Sequence, residues 1–136
     1  RLEERPNIDN IINILINLTG TPYKWGGKTS LGFDCSGLVQ SVLQVFGLKI
    51  PRDSKDQWQF SNSCIISLDQ AEKGDLHFFE KDGKICHVGF SCGGASIIHS
   101  QGSVKKESLN INNRNFNKSL LDIYLATTSI RRKFKL

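Results

Sequence analysis

The run Phe33-Asp34-Cys35-Ser36-Gly37-Leu38 places a thiol where a glycine-rich loop gives way to an apolar helix. That junction constrains the fold more than any other stretch. Leu38, Val39, Val42, Leu43 and Phe46 recur at three- and four-residue spacing, and Gly47 follows as a C′ glycine should. Upstream, Pro22, Gly26, Gly27 and Gly32 make Thr21 to Gly32 a loop. A thiol in the first turn faces unpaired backbone N–H groups and the positive end of the helix dipole. Both favour the thiolate, the nucleophilic form. The plain alternative is a cysteine packed as a small hydrophobe.

A second pattern bears on the same chemistry. His87 and His99 flank the turn Cys92-Gly93-Gly94, with Val88 and Phe90 alternating before it and Ile97 and Ile98 after it. A hairpin centred on Gly93 pairs positions whose numbers sum to 186, and 87 plus 99 is 186. The two imidazoles would then be cross-strand neighbours, while Val88 and Phe90 enter the core. A thiol, a base and a polar group that orients the base form a nucleophilic set. A four-residue loop would shift this register, and two unrelated histidines on a half-exposed hairpin are the alternative.

The remaining elements read as an α+β domain with helices packed on an antiparallel sheet. Ile8, Ile11, Ile12, Leu15 and Ile16 form a helical stripe after Pro6 and Asn7. A short helix is expected over Ser54 to Phe60 and a weak strand over Ser63–Ser67. Strands are expected over Leu76–Phe79, Ile85–Ser91 and Ala95–Ser100, with Asp82-Gly83 as a hairpin turn. The asparagine-rich segment Asn110–Ser119 reads as a loop, and Ile123–Arg131 as a strand that closes the sheet. His77 reads as structural.

The 136 residues fit one domain, residues 1–136 with a core over about 8–132. No run approaches the ~20 apolar residues of a membrane span. The chain starts at Arg1 and has no methionine, which points to a processed or trimmed piece of a longer product. The charge of +5 is modest for a nucleic-acid binder and suits an anionic polymer. Arg131, Arg132, Lys133 and Lys135 read as a solvated basic tail without aromatic interleaving. A disulfide framework among Cys35, Cys64, Cys86 and Cys92 would consume the candidate nucleophile. Zinc on Cys86, His87 and Cys92 lacks the usual ligand spacing, so neither metal nor cofactor is expected.

Gly20-Thr21-Pro22-Tyr23-Lys24-Trp25-Gly26-Gly27, followed by Gly32-Phe33-Asp34-Cys35-Ser36-Gly37-Leu38-Val39-Gln40, resembles the NlpC/P60 cysteine peptidases. Further pieces follow in the family's order: Pro51-Arg52-Asp53-Ser54, Gln57, Gly74-Asp75-Leu76 with Phe78-Phe79, His87-Val88-Gly89 and Ile98-His99-Ser100. The resemblance runs from about Thr19 to Arg132. It implies a papain-like fold and a bacterial cell-wall hydrolase acting on peptidoglycan stem peptides at the γ-D-glutamyl-diamino acid bond. Muramoyl amide hydrolysis, acyl transfer and a non-catalytic wall-binding module are the alternatives.

The resemblance also implies roles. Cys35 is the nucleophile, His87 the base and His99 the residue that orients it. Tyr23, twelve residues before Cys35, would assist the Cys35 N–H at the oxyanion, or pack as an aromatic with its hydroxyl satisfied. Asp34 would contact the substrate's free amine, or only cap the helix. Ser36 either contacts substrate or makes a local hydrogen bond. Arg52 lines the groove or forms a surface ion pair, and Trp25 is a groove wall or core residue. The resemblance further implies an exported protein of the periplasm or wall, a monomer, with any SH3-like targeting domain lying upstream.

Overall fold

The computed structural model describes residues 7–29 and 32–136. Arg1 and Pro6, which figured in the sequence reading, lie outside the described residues, as does part of the Thr21–Gly32 loop. A 3-10 turn at Ile8–Asn10, capped by the Asn7 side chain, leads into α1 (Ile11–Leu18). A two-residue hairpin follows, β1 (Lys28–Thr29) and β2 (Gly32–Phe33). Then come α2 (Cys35–Val45), α3 (Ser54–Ser61) and the short β3 (Ile65–Ile66). Four consecutive strands carry the middle of the chain: β4 (Leu76–Lys81), β5 (Lys84–Ser91), β6 (Ser96–Gln101) and β7 (Ser103–Ser108). The chain finishes with α4 (Lys118–Asp122), β8 (Tyr124–Thr128) and α5 (Ile130–Phe134).

The main sheet is six-stranded and antiparallel, in the order β3-β8-β4-β5-β6-β7. The apolar stripe of α2 faces it. Leu38, Val39, Val42 and Leu43 are buried against Leu76, Phe78, Val88, Phe90 and Ile98. Each such side chain contributes about 1.5–3 kcal/mol on burial, which is what holds Cys35 against the sheet. Trp58 of α3 meets Phe78 edge to face at 5.2 Å and extends this layer. A second cluster, Phe79, Ile97, Leu109 and Leu120, is also fully buried.

The α+β architecture expected from the sequence is the one observed. Asp82 and Gly83 both have positive φ, 52° and 75°, as a two-residue hairpin turn requires. Five expectations need correction. The Ile123–Arg131 strand ends at Thr128, because Ser129 caps a new helix by accepting from the Arg132 N–H. The basic segment is consequently no free tail. Arg131 pairs with Asp9 and donates to the Lys73 carbonyl, and the Lys133 ammonium lies over the Phe60 ring. The Asn110–Ser119 loop gives way to α4 at Lys118, capped by Asn117. Ser63–Ser67 contributes only two paired residues.

The fifth correction concerns register. The observed β5–β6 pairs are Phe90↔Ile98 and Ser91↔Ile97, which sum to 188. The turn is the four-residue loop 92–95, with Gly93 and Gly94 both at positive φ. Its geometry is fixed from outside the hairpin. The Gly94 carbonyl accepts from His77 Nε2 and from Ser91 Oγ, while Ser91 Oγ also accepts from the Gly93 N–H. His77 is structural, fully buried, with Nδ1 accepting from Thr127 Oγ1 at 2.7 Å.

Candidate active site

Cys35 is the first residue of α2, and the element before it is built to put it there. Asp34 caps the helix, its Oδ1 accepting from the Gly37 N–H at 2.6 Å. The loop is pinned by the Asp34 N–H donating to the Gly27 carbonyl and the Lys24 N–H donating to the Phe33 carbonyl. Gly37 has to be glycine for this packing. A Cβ there would stand 2.1 Å from the Gly27 carbonyl oxygen.

The Asp34 carboxylate is also gripped by Arg52. Nη1 donates to Oδ1 at 3.0 Å and Nη2 to Oδ2 at 2.8 Å, a two-point ion pair. Arg52 Nη1 also donates to Ser36 Oγ at 3.0 Å. Buried Gln57 of α3 donates to the Ser36 and Pro51 carbonyls, fastening the Pro51-Arg52 turn to the first turn of α2. The guanidinium is held above its ordinary pKa chiefly by its hydrogen bond to Asp34.

These residues border a groove of ≈ 580 Å³ whose walls include Tyr23, Trp25, Asp34, Cys35, Ser36, Arg52 and Cys86. Six of the eight sequence-selected site residues are thus brought together on one surface. Trp25 is 88% exposed, so it is a groove wall and not a core residue. Tyr23 is fixed through its backbone, the N–H donating to the Gly102 carbonyl. Its phenol is raised above the ordinary value by burial first, then by the charges of Cys35 and Asp34.

His87 and His99 lie behind the groove, 8% and 0% exposed. The backbone N–H of Val88 faces the Cys35 sulfur, so the thiol rests against β5 one residue from His87. A β-bulge sits at this point. Phe79 pairs with His87 and Glu80 with Ile85, leaving Cys86 as the extra residue. Bulges re-aim side chains next to active sites, and here the bulge falls beside His87. His87 Nε2 and His99 Nδ1 are 2.7 Å apart, with ring centroids at 4.9 Å.

Glu107, not among the residues selected from the sequence, stands behind His99. Its Oε1 lies 2.7 Å from His99 Nε2, and Asn117 Nδ2 donates to both its oxygens. Gly102 was the available signal. A turn there sets His99 opposite Lys105 and puts Glu107 one diagonal step away.

The electrostatics correct one expectation. Burial pushes the Cys35 thiol above its ordinary pKa, and the Asp34 charge adds to the rise. The N–H groups of Val88, Ser36 and Cys35 itself pull in the expected direction but are outweighed. His87 and His99 are both lowered, first by burial; the Lys105 charge acts the same way on each. Both shifts favour a neutral thiol beside a neutral imidazole at rest. All four cysteines are unbridged. Among the described residues, no group of three or more His, Cys, Asp and Glu side chains is placed to hold a metal ion, and no helix is long and apolar enough to cross a membrane.

Residues 20–124 match the NlpC/P60 family. The chain belongs to that family. An NlpC/P60 protein similar to it is the gamma-D-glutamyl-L-lysine dipeptidyl-peptidase of Bacillus subtilis, 39% identical over 101 residues, covering 72% of this chain and 33% of that protein. The chain therefore spans about a third of the length of this curated relative. The crystal structure of an NlpC/P60 family protein from Bacillus cereus superposes with a TM-score of 0.81 at 30% identity, covering 93% of this chain and 41% of the other. The NlpC/p60 domain of the peptidoglycan hydrolase SagA gives a TM-score of 0.73 at 33% identity, covering 92% of this chain and all of that domain.

Proposed function

We propose that this NlpC/P60 chain is the catalytic domain of a cell-wall cysteine peptidase that hydrolyses peptidoglycan stem peptides at the γ-D-glutamyl-diamino acid bond. The observation that carries the reading is the 2.7 Å contact of His87 Nε2 with His99 Nδ1, with His87 on β5 beside Val88, whose backbone N–H faces the Cys35 sulfur. The Bacillus subtilis relative's activity supplies the bond.

Cys35 attacks the scissile carbonyl as His87 Nδ1 takes its proton. The tetrahedral oxyanion is met by the Cys35 N–H and the Tyr23 hydroxyl. Its collapse expels the diamino acid's amine, which receives the proton from His87, and leaves a thioester on Cys35. Water, deprotonated by His87, then releases the γ-D-glutamyl product and restores the thiol. Arg52, Ser36 and Trp25 shape the groove on the substrate side. Asp34 meets the substrate's free amine as part of its ion pair with Arg52. No metal or organic cofactor takes part. The domain works as a monomer on wall material outside the cytoplasm.

The test is mass spectrometry of L-Ala-γ-D-Glu-diamino acid stem peptides incubated with wild type and Cys35→Ala. Release of L-Ala-γ-D-Glu by wild type alone is expected. A different fragment mass would reassign the bond. No cleavage of either peptides or intact sacculi, with equal wall binding by both proteins, would replace the peptidase by a binding module.

A further inference from the structure

We infer that Glu107 is a positioning residue whose carboxylate, acting through His99, fixes the tautomers of both histidines so that His87 presents an unprotonated Nδ1 to Cys35. The inference rests on the reading of Cys35 and His87 as nucleophile and base. It concerns a residue on the far side of His99 from the groove, which touches neither the thiol nor the substrate.

Two neutral imidazoles 2.7 Å apart share one hydrogen bond, and it can run either way. If His99 carried its proton on Nδ1 and donated to His87, His87 would hold its own proton on Nδ1. It could then take none from a thiol on that side. His99 would also turn a bare Nε2 toward the Glu107 oxygen 2.7 Å away, setting two acceptors against each other. An ionised Glu107 forbids this arrangement. It requires His99 Nε2–H to donate to the carboxylate, which leaves His99 Nδ1 as acceptor. His87 must then donate from Nε2–H, and its Nδ1 lone pair is free.

Glu107 is built to stay ionised. Burial is the largest single influence and would raise its pKa, but hydrogen bonds from His99 and Asn117 together with neighbouring charge, that of Lys105 included, hold it below the ordinary value. Asn117 is itself fixed as the cap of α4, accepting from the Leu120 N–H at 3.0 Å. Among the described residues, Lys105 on β7 faces these side chains, its Nζ 3.8 Å from Glu107 Oε1, and its charge acts on both His87 and His99. When His87 takes the thiol proton its positive charge faces, through His99, the negative charge of Glu107. The carboxylate need not accept the proton for this to help.

The experiment has two readouts. Imidazole ¹⁵N NMR on the Cys35→Ala protein reports tautomers without any substrate. Nε2–H forms are expected for both His87 and His99. Glu107→Gln should let His99 populate the Nδ1–H form, since an amide can donate as well as accept. The kcat for stem-peptide cleavage should fall at least about tenfold with KM little changed, as when a wrong tautomer is admitted. Glu107→Asp should recover part of the loss. An Nδ1–H tautomer on His99 in the parent protein overturns the inference, even if Glu107→Gln does not fold. So do tautomers and kcat that Glu107→Gln leaves unchanged. Failure of the hydrolase reading would appear as no turnover by wild type, with the tautomers still as stated.

Discussion

His87 and His99 meet at 2.7 Å although they are diagonal neighbours and not ladder partners. His99 lies across from Gly89, where an added Cβ would stand 2.7 Å from the His99 Cβ and 2.7 Å from an Ile97 methyl. The diagonal contact depends on that position carrying no side chain.

Gly89→Ala should therefore displace His99 and cost about 1–3 kcal/mol as an overpacked core does. Stem-peptide cleavage should fall by more than the loss of folded protein accounts for. Urea denaturation beside kcat measurement checks this. Full activity in a destabilised Gly89→Ala protein would show that His99 tolerates the shift.

The Cys35 thiol, raised by burial, should be protonated at neutral pH in the free protein. A difference ultraviolet titration, wild type minus Cys35→Ala, should show no thiolate absorbance near pH 7 and a rise only above the ordinary thiol range. The acid limb of kcat/KM should fall below the ordinary imidazole value, since burial lowers both His87 and His99. Thiolate absorbance at neutral pH would mean a preformed ion pair and contradict the neutral resting state.

Stability should decline in acid, and His77 sets much of the window. Its pKa is lowered from 6.5 to about 4 by burial. Between these values the unfolded chain binds a proton that the folded chain refuses, so stability is complete above pH 6.5 and is lost as pH falls toward 4. For His77 alone the loss is about 3 kcal/mol, at ~1.4 kcal/mol per unit. His87 and His99 act in the same direction. Denaturant midpoints should hold from pH 7.5 to about 6.5 and fall from there to pH 4.5; a flat profile throughout would contradict burial of neutral histidines.

Alkylation should distinguish the thiols. Cys86 is exposed on the groove, whereas burial pushes Cys92 up to about 11. Peptide mapping after brief iodoacetamide treatment should find Cys86 modified well before Cys92. Equal rates would place Cys92 in a wetter site than the structure gives it.

Much of this was legible in the sequence where side-chain period and local chemistry agreed. The α2 stripe, its Asp34 cap and its Gly47 stop all act within a few residues of Cys35, and all stand in the structure. The β5–β6 register was not legible, because the turn is shaped by His77, which reaches it from β4. The strand β7 was invisible for a different reason. Its sequence, Ser-Val-Lys-Lys-Glu-Ser, offers one buried apolar side chain, Val104, and edge strands carry lysine where inner ones carry hydrophobes. With β7 unseen, Glu107 had no strand to place it beside His99.

β7 has an outer neighbour that ties two parts of the site together. The Gly20 N–H donates to the Val104 carbonyl, the Val104 N–H donates to that of Thr21, and Tyr23 hangs from Gly102 at the start of the strand. Glu107 sits three residues past Val104 on the same strand. The loop that aims the phenol and the carboxylate that aims the imidazoles thus share one abutment. Force applied to that strand, by a docked neighbour or by thermal fraying, would misalign both ends of the groove together, so that heat should silence the chemistry before it melts the fold.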